Sequence, residues 1–194
     1  LSTDRFADAL ADFSTVMRLN ANDDDSCHYL GVAYFFLGMY DLAIEAFMES
    51  IRLMIRNHVD LIPPTVDWAW MAYMRKGDPK SAAALLEKYI YPEIPCGADD
   101  LDYKMRVRLY KGLVRPEDMI DPVEIRKHVP DPEDDLKLDI VTLRFGLYLY
   151  YTYKGETEKA NEEIVKIISD PFEGAFAVEK ARIVAKERGL KPVK

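Results

Sequence analysis

The chain has 194 residues, 49% of them hydrophobic, and its 26 Lys and Arg against 34 Asp and Glu give a net charge of −8. A chain of this size can bury a sizeable core as one domain or two small ones. The acidic balance offers no field to attract phosphate backbones, so we expect no nucleic-acid partner. Two cysteines, Cys27 and Cys96, lie far apart and form neither a disulfide framework nor a zinc motif.

The N-terminus and the apolar segments bear on localisation. The chain begins at Leu1 without a signal sequence, so we expect a fragment or a processed product. The uncharged stretch 26–40 covers only 15 residues, short of the roughly 20 that span a bilayer. We therefore expect no membrane span here and favour the cytoplasm. The alternative is a membrane-anchored lipoprotein whose N-terminal signal has been removed.

The chain shows a helical pattern nearly throughout and no period-two strand, which predicts an all-α fold. Its first half contains a repeat. Three small or aromatic residues near the N-terminus recur 34 positions later: Phe6, Ala9 and Phe13 return as Tyr40, Ala43 and Phe47. A period in this range is typical of helical repeat arrays.

Two later segments repeat the same relation. Tyr34, Gly38 and Ala43 are matched 39 positions on by Tyr73, Gly77 and Ala82. The insertion falls near Pro63 and Pro64, which we expect to end the preceding helix. Gly155 and Ala160 follow 78 positions after Gly77 and Ala82. The sequence thus predicts two further helix pairs.

The remaining segments are less regular. Residues 103–110 predict a helix ended at Gly112, and 122–128 predict a short second helix. A single amphipathic helix closed by Gly189 follows Pro171 and is predicted to cap the array. We expect one helical-repeat domain over 1–194, divided into a partial repeat 1–22, repeats 24–57 and 63–90, an irregular repeat 99–130, a repeat 133–168 and the cap 172–189.

One set of residues resembles the tetratricopeptide repeat: Leu30, Gly31, Tyr34, Gly38, Tyr40, Ala43 and Phe47. The resemblance implies antiparallel helix pairs stacked in a right-handed superhelix. Gly31 then marks a place where a neighbouring backbone approaches closely, and Gly38 marks the turn. Trp70 stands where the family has a small residue. The order of units also resembles the bacterial new lipoprotein I group of tetratricopeptide adaptors.

The resemblance implies a non-catalytic scaffold or adaptor that binds a peptide or helix of another protein in a concave groove. It places the following residues in that groove: Asp25, His28, Val32, Phe35, Phe36, Asp67, Met71, Met74, Arg75, Phe145, Leu149, Thr152 and Tyr153. Packing in the core is the competing interpretation for Phe35 and Met71. Homodimerisation, as the self-association or regulatory arm of a larger protein, is the alternative function.

Enzymatic chemistry finds little support. The histidines His28, His58 and His128 lack the spacing of a metal site, and no nucleophile elbow, phosphate loop or HExxH motif occurs. We expect no catalytic, cofactor-binding or metal-binding residues. An all-α Mg²⁺-dependent enzyme is the remaining alternative, based on three acidic clusters. These are Asp23 to Asp25, Asp99 and Asp100 with Asp102, and Asp134 with Asp135, all at predicted helix starts where carboxylates cap backbone amides.

Overall fold

A computed structural model describes residues 23–59, 62–95, 100–121 and 133–193, with only the backbone given for 133–135. All regular structure within these ranges is helical, which confirms the all-α prediction. The described residues up to 95 form one compact unit and those from 100 onward form another. The partial repeat predicted over 1–22 lies outside the described residues.

The described part of the first unit contains four helices, each packed on the next: α1 (Asp24–Phe36), α2 (Tyr40–Asn57), α3 (Ile62–Lys76) and α4 (Pro79–Tyr89). Its core includes Phe47, Ile51, Leu53 and Val66, which are fully buried. The α1–α2 pair spans 24–57, the range predicted for the first complete repeat. The α3–α4 pair likewise covers the predicted repeat 63–90.

Three helix pairs turn in the same way. The turn glycines Gly38, Gly77 and Gly155 all have positive φ, between 74° and 81°. Each donates its N–H to the carbonyl three residues back, and the following residue donates to the carbonyl five back. This is the Schellman arrangement, which favours glycine because other residues are strained at positive φ. The prediction of turns at these glycines is confirmed.

Alanine five residues after each turn glycine is buried as well. Ala43, Ala82 and Ala160 are at most 1% exposed. Each donates its N–H to the residue just before its helix, at 3.0 to 3.2 Å. The Gly-x₄-Ala spacing therefore marks the same local structure in three places.

Gly31 packs differently from the prediction. A Cβ on Gly31 would lie 2.5 Å from Cε1 and 2.6 Å from Cδ1 of Phe47. The close neighbour is thus an aromatic ring of α2, whereas we expected a neighbouring backbone. Glycine is required because the fully buried ring occupies the space of a side chain.

Pro63 and Pro64, near the insertion, differ from the prediction in their position relative to the helices. Helix α2 ends at Asn57, and His58 adopts a left-handed conformation beyond it. Pro63 and Pro64 lie in the first turn of α3. The first turn tolerates proline because its N–H groups have no partner within the helix. The prolines therefore begin a helix, and the prediction that they end the preceding one is wrong.

Residues 100–121 and 133–193 of the second unit form four helices and a short 3₁₀ turn: α5 (Leu101–Lys111), the turn Pro116–Asp118, α6 (Glu133–Lys154), α7 (Thr157–Ser169) and α8 (Phe176–Arg188). Helix α6 packs against α5, α7 and α8. Gly112 and Gly189 end α5 and α8 with positive φ, as predicted. The α6–α7 pair matches the predicted repeat 133–168, while the helix predicted over 122–128 lies outside the described residues.

Candidate functional site

The thirteen predicted groove residues are exposed to different degrees. Asp25 and Arg75 are exposed, and seven are partly exposed: His28, Val32, Phe35, Phe36, Met74, Thr152 and Tyr153. Four are buried: Asp67, Met71, Phe145 and Leu149, none more than 4% exposed. Seven of the accessible residues belong to α1 and α3 of the first unit. Thr152 and Tyr153 belong to α6 of the second.

The four buried residues do not offer a surface to a partner, which corrects their assignment to the groove. Helix α3 is buried at every position from Thr65 to Ala72, so it has no solvent face around Asp67 and Met71. In α6, the Phe145 ring packs against Tyr148 and Phe176, with centroids 5.4 and 5.7 Å apart. When a helix is covered on all sides, the positions that the family places in the groove lie in the core instead.

Phe35 and Phe36 meet the neighbouring helix and retain partial exposure. Both rings pack edge-to-face on Trp68 of α3, with centroid distances of 5.3 and 5.9 Å. Phe35 also contacts Phe36 and Tyr40, at 5.9 and 5.6 Å. Trp68 is 7% exposed, so both phenylalanine rings pack on a buried indole. We call Phe35, Phe36, Tyr40 and Trp68 the aromatic cluster.

His28 is partly exposed, links α1 to α3 and has two aromatic rings packed against it. Its Nδ1 lies 2.9 Å from Thr65 Oγ1, and that hydroxyl points to Met54 Sδ at 3.8 Å. The rings of Tyr29 and Phe47 pack edge-on against the imidazole. Burial lowers the pKa of His28 to about 4, so the ring is neutral near pH 7 and serves as a hydrogen-bonded helix contact.

Three aspartates lie at the start of α1, where Asp25 is exposed and Asp23 and Asp24 are partly exposed. Desolvation raises the pKa of Asp25 most, and repulsion from Asp24 and Asp23 adds to it. The Asp23 carboxylate accepts a hydrogen bond from the Ser26 hydroxyl and makes no side-chain cap to the helix backbone. The expected capping role is thus wrong for Asp23. Asp78 does cap its helix, accepting from Ser81 N–H at 3.0 Å.

Two buried charged side chains of the second unit escaped the sequence analysis. Arg106 is 2% exposed, and its Nε donates to the Tyr110 hydroxyl at 3.2 Å. Glu163 is 5% exposed and accepts from Arg144 and Lys166. No local sequence pattern indicates that Arg106 is buried, because its burial depends on Gly146 of α6, where a Cβ would lie 2.5 Å from Arg106 Cγ.

Cysteine, metal and membrane chemistry can be assessed for the described residues. Burial raises the pKa of Cys27 to about 11, so its thiol stays protonated. No three or more His, Cys, Asp or Glu side chains in the described ranges are grouped to hold a metal ion. The described helices also include none with the length and apolar character of a membrane span.

No protein-family model, curated protein or solved structure matches the chain.

Proposed function

We propose that the protein is a non-catalytic interaction module of the tetratricopeptide type, which binds a peptide or helix of another protein. The binding surface is formed by the accessible predicted residues of α1 and α3. These are Asp25, His28, Val32, Phe35, Phe36, Met74 and Arg75, which we call the α1–α3 surface. The observation that carries the proposal is the partly exposed pair Phe35 and Phe36 held on the buried Trp68.

The packing of this pair favours binding. Aromatic side chains contribute much of the energy at protein interfaces, and a few anchors usually dominate. Phe35 and Phe36 are already held by edge-to-face contacts, so their own side chains lose little conformational entropy when a partner contacts them. Their remaining exposed area offers an apolar contact at the end of α1.

Charge complementarity specifies the partner further. Asp25 begins the same helical face that ends at Phe35, with His28 and Val32 between them at spacings of three and four residues. Ten residues of helix separate Asp25 from Phe35 by about 15 Å. Because the charges of Asp23 and Asp24 repel the Asp25 carboxylate, a basic side chain of the partner is favoured there. The partner therefore has an apolar anchor about 15 Å from a Lys or Arg.

Peptide selection followed by calorimetry tests the proposal. Peptides selected against the wild-type chain from a random library are titrated into wild type, Phe36→Ala and the control Ile55→Ala. Ile55 is 51% exposed on α2, outside the α1–α3 surface. We expect Phe36→Ala to weaken binding about tenfold or more and Ile55→Ala to leave it unchanged. Equal affinities for folded Phe36→Ala and wild type would sink the assignment.

Self-association is the second candidate, because large apolar side chains of α1 and α2 are exposed. Tyr29 and Ile55 are 52% and 51% exposed, and Met39 at the turn is 47% exposed. A second copy covering them would give a dimer. Analytical ultracentrifugation distinguishes this function from peptide binding. A monomer at high micromolar concentration would exclude it.

A further inference from the structure

The second unit contains a cavity of about 320 Å³ between α5, the 3₁₀ turn and α6. Its volume lies at the lower end of the range for small-molecule sites, roughly 300 to 1,000 Å³. None of the α1–α3 surface residues lines it. A function of this cavity can therefore be tested independently of peptide binding.

The α5 wall of the cavity carries two cations. Lys104 and Arg108 lie four residues apart, which places them on the same helical face. The Nε of Arg108 is buried and has no hydrogen-bond partner in the described structure. Such a donor is unfavourable, because it has lost its hydrogen bonds to water and gained none in return. An oxygen of a ligand would satisfy this N–H, and a carboxylate oxygen would do so with a charge-assisted bond.

Four carboxylates also line the cavity, and they belong to Asp102, Asp118, Asp121 and Asp139. Each of them already has an interaction. Arg115 donates two hydrogen bonds to Asp118 at 2.7 and 2.9 Å, and Asp102 accepts from the Tyr103 N–H at 2.6 Å. Asp121 and Asp139 take part in interactions of their own. These carboxylates therefore do not require a cation from the ligand, but they repel an anion that carries several charges. A single negative charge, placed at Arg108, meets both conditions.

The floor of the cavity is apolar. Met105, Met119 and Leu143 line it, and Met119 and Leu143 are at most 2% exposed. Methionine side chains adapt to ligands of different shape because they are unbranched and flexible. An alkyl chain of a few carbons would bury its area against these residues. The lining thus suits a ligand with one charged end and an apolar remainder.

We infer that this cavity binds a short-chain aliphatic monocarboxylate. The carboxylate accepts from Arg108 Nε, Lys104 adds positive charge on the same helical face, and the alkyl chain packs on the methionines and Leu143. Binding involves no covalent step. It goes beyond peptide recognition, and either function can fail without the other.

Calorimetry with defined probes tests this inference. Hexanoate and octanoate are titrated into the full chain near pH 7, where a carboxylic acid is ionised. Hexanamide, acetate and phosphate are titrated in parallel. The amide lacks the charge, acetate lacks the alkyl chain, and phosphate lacks the chain and carries more charge. We expect hexanoate or octanoate to bind about tenfold or more tightly than any of these three. Equal binding of any of the three, or no binding of either acid at concentrations on the order of 10 mM, would overturn the inference.

Two variants locate the ligand. Arg108→Met keeps the aliphatic stem and removes the donor, so we expect it to weaken binding of the acid about tenfold or more. Lys186→Met is the matched control, because it removes an exposed cation of α8 outside the cavity and should bind as wild type does. Unchanged affinity in folded Arg108→Met would refute the site.

Hydrogen exchange of the wild-type chain locates the ligand without a substitution, so the test does not depend on the folding of a variant. A ligand that binds the folded state stabilises the structure around it. Added hexanoate should therefore slow exchange in α5 and α6 and leave α1 to α3 unchanged. Slower exchange in α1 to α3 alone would place the acid on the first unit and refute the cavity as its site.

Discussion

The two units make their helix contacts with different chemistry. In the first unit, Gly31 leaves room for the apolar ring of Phe47, and the contact between α1 and α3 includes the hydrogen bond of a neutral His28. In the second unit, Gly146 leaves room for the stem of Arg106, whose guanidinium lies near the Tyr103 and Phe145 rings at 5.4 and 5.8 Å. A glycine in a helix thus allows close packing of a ring or of a cation.

Because of this difference, we expect the two units to respond differently to substitutions and to pH. An apolar contact depends on shape and volume, because interiors are close-packed. A buried charge depends on its partners, because an unpaired ion in the interior is costly. The contacts of Gly31 and His28 in the first unit should therefore be sensitive to side-chain volume and to protonation of the imidazole, and the contacts of Arg106 and Glu163 in the second to the loss of a charge partner.

The largest expected effect is the pH dependence of the first unit. The pKa of His28 is about 4 when folded and 6.5 at its ordinary value. Between these values the unfolded chain binds the proton and the folded chain does not, so stability falls as pH drops from 6.5 to about 4. We expect a loss of about 3 kcal/mol from this group.

Hydrogen exchange with peptide resolution measures this loss in each unit separately. His28→Asn keeps a donor for Thr65 and removes the titration, so protection in α1 to α3 should vary less with pH than in wild type. The described part of the second unit contains no histidine and serves as the internal reference. Parallel pH profiles of wild type and His28→Asn would show that His28 is not the source.

A Gly31→Ala substitution should have the next largest effect. The new Cβ would meet three atoms of the Phe47 ring at 2.5 to 2.9 Å. We expect a loss of about 2 kcal/mol from overpacking, even though alanine favours the helix by about 1 kcal/mol. Urea unfolding of Gly31→Ala, Phe47→Leu and the double variant measures the coupling. Additive losses in the double variant would mean that the ring contact is not the cause.

The corresponding change in the second unit tests the comparison itself. A Cβ at Gly146 would meet Arg106 Cγ at 2.5 Å and Cδ at 3.1 Å. An arginine stem has more rotatable bonds than a phenylalanine ring, so we expect a smaller loss of about 1 kcal/mol. A Gly146→Ala loss larger than that of Gly31→Ala would reverse the proposed distinction between the units.

Removing the buried carboxylate of the second unit should have a moderate effect. Glu163 accepts from Arg144 Nη1 at 3.0 Å and from Lys166 Nζ at 2.5 Å. Glu163→Ala should cost about 1–2 kcal/mol, below the loss for fully buried pairs, because both cations keep access to water. The exposed pair of Glu49 and Arg52 in α2 provides the matched control. Glu49→Ala should cost at most about 0.5 kcal/mol.

Thermal and urea unfolding of the two alanine variants measure this contrast. Glu163→Gln keeps one oxygen acceptor and should lose less stability than Glu163→Ala. Equal losses for Glu163→Ala and Glu49→Ala would show that burial of the carboxylate adds nothing to the ion pair.

The turns could be predicted from sequence because their causes are local. Gly38, Gly77 and Gly155 each need a positive φ, and an alanine five residues later begins the next buried face. These requirements are visible within a few residues. The groove positions Met71 and Phe145 depend instead on how many neighbours surround their helices. Between Thr65 and Met74, Asp67 is the only charged residue, a pattern that indicates burial on all sides of the helix. The assignment of groove positions followed the family resemblance and did not use this pattern.

The contacts across the second unit could not be predicted in this way. Arg106 and Gly146 are 40 positions apart, and each is unremarkable in its own helix. Only the packing of α5 on α6 brings them together. The aromatic cluster had the same origin, since Trp68 approaches Phe35 and Phe36 through the packing of α3 on α1.

The smallest expected effect, a gain in stability, concerns the end of α2. Five described helix ends have glycine at positive φ, namely Gly38, Gly77, Gly112, Gly155 and Gly189, whereas α2 ends at His58 with φ of 57°. The hydrogen bonds are the same, because His58 and Val59 donate to Ile55 and Met54 carbonyls. His58→Gly should remove the left-handed strain and stabilise the first unit by about 0.5–1 kcal/mol, after the entropy cost of glycine. Urea unfolding measures the gain, with Gly77→Ala as the opposite change, expected to lose about 1 kcal/mol. A destabilised His58→Gly variant would mean that the imidazole makes a contact worth more than the strain.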